Sequence, residues 1–332
     1  MYLKGMDGSP IINNLQKHCE FLADPKLNGR VPGTHGNRIA REYIRKQFEN
    51  SGLMPLFGES WYQKYHTRIT GEKITAVNVG GRLPSNEQTN ETHILIGAHY
   101  DHLEGIPGAD DNASSIAIII EAARIMAEKS RNQRLKNLIF VAFDAEERPF
   151  YLTNDMGSVY FFENRPINNI DGAVLLDLCG HDFPMPGKED VVFIIGADSS
   201  ATFAEYVPSI KGNGITPVIA NDRYVGDKSD YYVFKKSGVP YIFISAGWWS
   251  SYHKPTDTLE KLNYPKMQGI CHYLVELIEI ILQNDVVKES YDIIDLEARC
   301  LSKIIGQEIS ADRSTIDKIV ERFKFTYMSR AT

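Results

Sequence analysis

Five side chains between positions 99 and 253 could carry chemistry together: His99, Asp111, Glu147, Asp177 and His253. Two imidazoles and three carboxylates suit a pair of divalent cations, and mixed nitrogen and oxygen donors favour zinc. A sixth residue, Glu146, directly precedes Glu147 and is free to act on water. The local strings are AHYDH, GADDNASS, FDAEE, LLDLCG and SYHKPTDTLEKL, and the first four residues each follow a run that reads as buried strand. The array implies hydrolysis. A cation acidifies bound water, and a carboxylate within hydrogen-bond reach takes the proton and later delivers it to the leaving group.

His99 and Asp101 are one residue apart, so on a strand end they face the same side. Asp101 is then placed to accept a hydrogen bond from the His99 ring nitrogen that faces away from metal, fixing tautomer and orientation. His102, next door, is expected to point elsewhere. GADDNASS puts two aspartates in a tight turn leading into a helix, where one carboxylate can bridge two cations roughly 3.5–4 Å apart. In AEE the adjacent side chains diverge, so one glutamate can bind metal while its neighbour addresses water. Singly, these strings have ordinary explanations: a hydrogen-bonded pair, a solvated turn, a solvated helix start. Together they occur in order after successive strands, with Asp177 inside an apolar run where an unpartnered carboxylate is costly. They read as one metal site.

The elements that must position these residues follow from periodicity. Ser9 to Leu22 and Arg38 to Asn50 have helical spacing, separated by a loop rich in Gly, Pro and Asn. Strands are expected at Thr75–Val79, His93–Ala98, Leu138–Phe143, Gly172–Leu178, Val191–Ile195 and Tyr241–Ser245, with apolar helices at Ile116–Lys129 and Leu274–Leu282. Near-continuous apolar strands alternating with helices predict an α/β fold: a three-layer sandwich, a mostly parallel mixed central sheet with helices on both faces. The functional residues then cluster at the carboxyl ends of the strands, where open sheets bind ligands. Residues 1–285 form one domain in this reading. Residues 286–332 form a helical appendage, with helices at about Val286–Ile305 and Ser310–Phe325 that pack on the domain or make a homo-oligomer contact.

The chain has 332 residues, 43% hydrophobic and 24% charged, with a formal net charge of −7. That balance argues against a nucleic-acid or anionic-membrane partner. Cys19, Cys179, Cys271 and Cys300 are far apart and form no CxxC pair, so free thiols in a reducing compartment are expected. No apolar signal region and no run of about 20 apolar residues is visible. The expected location is the cytoplasm, or outside the cell if a leader has been removed.

The strings resemble the co-catalytic dizinc aminopeptidases of metallopeptidase family 28, a group that also holds glutamate carboxypeptidases and the single-zinc glutaminyl cyclases. The resemblance covers about residues 10 to 285 and includes GRVPGTHGN, NVGG, GADDNAS, the double glutamate, GSVYF, SDYYVFKKSGVPYIFI and YHKPTDTLEKL. It implies a zinc exopeptidase fold, two zinc ions per monomer and a peptide substrate cut at its amino end. By position, His99 and Asp177 would hold one zinc, Glu147 and His253 the other, and Asp111 would bridge them. The Asp111–Asn112 peptide would be cis, Glu146 the general base, and Tyr252 the donor to the tetrahedral oxyanion. The chain departs from the family's pattern in three places: nine residues, Arg148 to Met156, lie between Glu147 and Gly157, Ser229-Asp230-Tyr231 stands where SDH is common, and Ser115 replaces a common glycine after GADDNAS. The nine-residue loop is expected to shape the substrate pocket, for which Phe150, Tyr151, Tyr224, Tyr231, Trp248 and Trp249 are aromatic candidates. The rival readings are a glutaminyl cyclase-like enzyme with one zinc and an inactive binding module of the transferrin-receptor kind.

Overall fold

The computed structural model describes residues 9–69, 71, 73–85, 91–129 and 136–323. Two helices open the chain, α1 (Pro10–Leu22) and α2 (His35–Asn50), followed by strands β1 (Met54–Pro55), β2 (Tyr62–His66), β3 (Thr75–Leu83) and β4 (Thr92–His99). Then come α3 (Ser115–Lys129), β5 (Asn137–Phe143), α4 (Gly157–Glu163), β6 (Asn169–Leu176), β7 (Val191–Ile195), α5 (Ala201–Tyr206) and β8 (Thr216–Ala220). The last elements are α6 (Tyr231–Lys236), β9 (Tyr241–Ser245), α7 (Tyr264–Gln283), α8 (Ile294–Ile305) and α9 (Arg313–Phe323).

The strands form one sheet in the order β1-β3-β5-β4-β6-β9-β7-β8, with β2 also paired to β3. Its centre, β5-β4-β6-β9, is parallel; β3 joins β5 and β7 joins β9 antiparallel. Strand alternation sends side chains to two cores. Ile94, Ile96, Leu138 and Phe140 pack with α1, α2, α3 and α7 on one face. Leu95, Ile139, Val141 and Phe143 pack with α4 and α6 on the other. This is the expected α/β sandwich with a mixed sheet. Among the described residues no helix is long and apolar enough to cross a membrane.

Several boundaries differ from the sequence expectation. β3 does not stop at Gly80-Gly81 but runs through them to Leu83. The glycines are needed for closeness, not for a turn: an added Cβ would meet Leu56 Cδ2 at 2.7 Å over Gly80 and Leu53 Cδ2 at 2.8 Å over Gly81. The first C-terminal helix begins at Ile294 rather than Val286, and the second begins at Arg313 rather than Ser310. The two residues expected to end the second helix, 324 and 325, lie outside the described residues. α8 lies over β8. Its Ile304 packs with Phe183, Val191 and Val218, and its Glu297 accepts the Asn221 N–H at 2.8 Å and the Arg313 guanidinium at 2.6 Å.

Candidate metal centre

The parallel strands deliver the predicted residues to one edge. His99 is the last residue of β4, Glu146 and Glu147 follow β5, Asp177 follows β6 by one residue, and the segment after β9 carries His253. The turn Ala109–Ser114 brings Asp111 against them before α3 begins, and the Asp111–Asn112 peptide is cis, as the resemblance implied. His99 Nε2 lies 3.3 Å from Asp111 Oδ1 and 3.4 Å from Asp177 Oδ1. His253 Nε2 lies 3.3 Å from Asp111 Oδ2 and 3.1 Å from Glu147 Oε1. The two oxygens of Asp111 are thus divided between two groups of donors. Glu146 stands beside them, its Oε2 3.9 Å from His99 Nε2.

Donors at these separations fit a metal. Bonds of about 2.0–2.2 Å in a tetrahedron give edges of roughly 3.3–3.6 Å, close to the spacings found. Within each group all donor atoms lie within 4.8 Å of one another. Asp177 Oδ1 is buried without a hydrogen-bond partner among the described residues, a situation that costs about 1–3 kcal/mol unless another ligand compensates.

Two expectations are corrected here. His102 does not point away: its Nδ1 lies 2.7 Å from Glu147 Oε1 and 3.8 Å from Asp111 Oδ2, and its ring packs edge-on to His253 at 5.5 Å. Asp101 supports the site differently from the expected pairing. The His99 Nδ1 meets the Asp101 backbone carbonyl at 3.1 Å, with the carboxylate Oδ1 farther off at 3.7 Å. The carboxylate instead accepts the N–H groups of Glu146 at 3.0 Å and Glu147 at 3.2 Å, bracing the glutamate turn. Both corrections have one cause. The strand ends at His99, so its alternation does not extend to residues 100–102.

Other supports carried no assigned role in the sequence reading. Asp257, within the HKPTD string, accepts the N–H groups of Asp110 at 2.8 Å and Asp111 at 3.1 Å. Asp110 turns away from the donors and pairs with His181 Nδ1 at 2.7 Å. The buried Arg30 guanidinium, from GRVPG, donates to the carbonyls of Tyr100 at 2.6 Å, Pro107 at 2.8 Å and Gly108 at 3.0 Å. It ties the segment after His99 to the segment before Asp111. Ser229 donates to Asp177 Oδ2 at 2.9 Å, while Tyr231, in the histidine's place, is buried and stacks on Tyr241.

Among protein groups alone, charge and burial compete. Burial holds the Glu146 carboxyl well above the usual carboxylate range; His99 pulls it down, and Glu147 and Asp177 push it further up. Burial also acts against ionised Asp111, but the imidazoles of His102, His253 and His99 hold it well below the usual range. The Tyr252 hydroxyl is pushed up by burial and then by Asp111 and Glu147. Its ring stacks on His253, with centroids 3.8 Å apart.

A cavity of about 740 Å³ adjoins the centre at Asp177 and Tyr252. Of the aromatic candidates, Tyr224 and Trp248 line it and Phe150, Tyr151, Tyr231 and Trp249 do not. No residue of the 148–156 loop lines this cavity, but the Tyr151 hydroxyl donates to the Asp227 carbonyl at 3.0 Å, next to the cavity residues Gly226 and Lys228. The rest of the loop folds onto the β2–β3 edge: Phe150 packs with Tyr65 and Ala76, and Asp155 accepts the N–H groups of Arg68 and Ile69.

Residues 78–278, the span that contains every one of the donors, match the family model for Peptidase family M28. The chain belongs to peptidase family M28. It is 26% identical over 284 residues to the Escherichia coli protein YfbL, covering 73% of this chain and 79% of that one. It is 28% identical over 196 residues to a probable zinc metalloprotease of Pyrenophora teres f. teres, covering 52% of this chain and 38% of that longer protein. Two solved structures share the fold. A Zn-dependent exopeptidase from Parabacteroides distasonis has a TM-score of 0.64 at 20% identity, over 80% of this chain and 97% of that one. The glutaminyl cyclase of Tannerella forsythia has a TM-score of 0.64 at 19% identity, over 82% and 99%. The family reading and the zinc exopeptidase fold expected from the sequence are borne out, and this M28 chain is a zinc peptidase.

Proposed function

We propose that this M28 chain is an exopeptidase with two zinc ions that releases N-terminal residues from peptides. The supporting observation is the division of Asp111, one oxygen beside His99 and Asp177, the other beside His253 and Glu147. His99, Asp111 and Asp177 would hold one ion; Asp111, Glu147 and His253, with His102 against them, would hold the other. Bound zinc lowers the pKa of water to about 7 and polarises a carbonyl oxygen.

The protein groups do the rest. Glu146 stands outside both donor groups and takes the proton of the attacking water, then delivers it to the departing amine. The Tyr252 hydroxyl donates to the oxygen that gains charge as the carbonyl carbon becomes tetrahedral. Asp101 fixes the backbone of Glu146, so the base does not wander from its position. The cavity beside Asp177 and Tyr252 gives the residue at a free chain end a seat next to the donors. The four cysteines are free and mostly buried, which supports a reducing, cytoplasmic setting.

The test is a panel of aminoacyl coumarin amides, with N-terminal glutaminyl peptides alongside, on zinc-reconstituted protein. Hydrolysis of the aminoacyl amides is expected, and Glu146→Gln should lower kcat by about 10²–10⁴-fold with zinc content kept. Conversion of glutaminyl peptides to cyclised product, with no aminoacyl hydrolysis, would replace this reading by a cyclase.

A further inference from the structure

The cavity beside the centre is larger than an amino-acid side chain requires, and five of its lining residues, Glu297, Leu301, Ile304, Val320 and Glu321, come from outside the region that matches the family. Strand alternation turns Phe193 and Ile195 of β7, Val218 and Ala220 of β8, and Phe243 of β9 to one face, and these line its floor. Leu301 and Ile304 of α8 and Val320 of α9 line it from the opposite side. The family match ends at residue 278, before either helix. Asp177 and Tyr252 also line the cavity, so it opens directly onto the donors.

Three of the charged residues at its border, Glu297, Arg223 and Lys228, have partners of their own. Glu297 holds Arg313 at 2.6 Å, Arg223 lies 3.9 Å from Asp317, and the Lys228 ammonium sits 3.8 Å over the Trp248 ring. The floor and roof offer aliphatic and aromatic surface. At about 740 Å³ the space falls within the roughly 300–1,000 Å³ of sites that enclose whole drug-sized molecules. A peptide side chain would leave most of it wet against apolar walls.

We propose that the cavity receives an extended apolar group carried on the acyl side of the scissile amide, an alkyl or aryl chain longer than any natural side chain, and that α8 and α9 set its length. This rests on the peptidase reading for the orientation of the substrate. The chain enters past Trp248 and Tyr252, lies along the β7–β8–β9 face, and ends against Leu301, Ile304 and Val320. Each methylene moved from water to such a site gains up to about fourfold in kcat/KM or affinity.

The experiment uses zinc-loaded full-length protein and coumarin amides of alanine, norleucine, α-aminooctanoic acid and α-aminodecanoic acid. The value of kcat/KM should keep rising beyond norleucine. Val320→Trp, at the more open side of the roof, and Leu301→Phe should each lower the α-aminodecanoyl-to-alanyl ratio at least tenfold. Calorimetry with free α-aminodecanoic acid, against free norleucine, reads the cavity without turnover and should show at least tenfold tighter binding of the longer chain. Should the amides be hydrolysed with a maximum at norleucine, or should both variants leave the ratio intact, the cavity assignment is overturned and the peptidase reading stands. Should no amide be hydrolysed while α-aminodecanoic acid binds and Val320→Trp abolishes binding, the cavity assignment stands and the peptidase reading falls.

Discussion

His102 shows how one side chain can be legible as a residue and illegible as a position. Its Nδ1 touches Glu147 Oε1 at 2.7 Å, and its Nε2 is buried without a hydrogen-bond partner among the described residues. Whether Nδ1 donates to the Glu147 carboxylate or shares its cation, it fixes where that carboxylate points. Groups that orient a metal ligand are worth about 10–100-fold in metal affinity. His102→Ala is therefore expected to weaken one zinc by about 10–100-fold and leave the other near its original affinity, read by competition with a chromophoric chelator. Equal weakening of both ions, or of neither, would remove His102 from this role. His99, Glu147 and Asp177 converge because each stands at or just past the end of a strand in the same parallel block, and the turn before α3 and the segment after β9 bring Asp111 and His253 to that edge. His102 lacks such a frame. It follows the last strand residue by three, where alternation gives no direction, and the backbone there turns it inward. Asp257 lies in HKPTD and Arg30 in GRVPG, but neither string states which backbone groups these residues hold.

The elements buried on both faces were readable, and the ones at the sheet's margins were not. Val191–Ile195 and Tyr241–Ser245 match β7 and β9 residue for residue because both are short apolar runs between breakers. β2, YQKYH, has one open face and no apolar run. β8, TPVIA, contains Pro217, which argues against a strand. It is tolerated because β8 is an edge that pairs with β7 alone. The same margin carries an electrostatic cost that can be measured. Asp198, in the turn after β7, holds the Asn221 side chain at 2.8 Å, while its other oxygen has no partner among the described residues. Burial, and then the Asp222 carboxylate, push its carboxyl up to about 6. The unfolded chain has an ordinary value near 3.9. Between about pH 4 and 6 the folded chain therefore binds the proton more tightly, so stability falls as pH rises through this window and stays lower above it. Asp198→Asn keeps an acceptor for Asn221 and removes the charge. It should stabilise the protein at pH 7.5 by on the order of 1–3 kcal/mol, discounted for partial exposure, with the gain vanishing below about pH 4. Urea midpoints at the two pH values measure this, and an equal gain at both would assign it to packing instead.

At the scale of the whole molecule, the centre is a tie between segments that the chain keeps far apart. The ends of β4, β5 and β6, the turn before α3 and the segment after β9 all meet there, and each brings a carboxylate or imidazole that is costly to bury alone. A cation that binds the folded chain and not the unfolded one stabilises it by mass action, about 2.7 kcal/mol per site at a hundredfold excess over Kd. Removal of zinc with a chelator should therefore lower Tm by several degrees. Zinc should restore it and magnesium should not, because imidazole donors suit zinc and magnesium prefers oxygen. The loss should also be local. Hydrogen exchange is expected to quicken after chelation in 99–115, 144–147, 176–179 and 250–257, the segments that carry the five donors. It should stay unchanged in α8 and β8, whose contacts run through Ile304, Val218 and Glu297 and involve no donor. If α8 loosened together with the donor segments, the C-terminal helices would belong to the same cooperative unit as the centre. The wall they give the cavity would then depend on the metal, rather than stand ready before it binds.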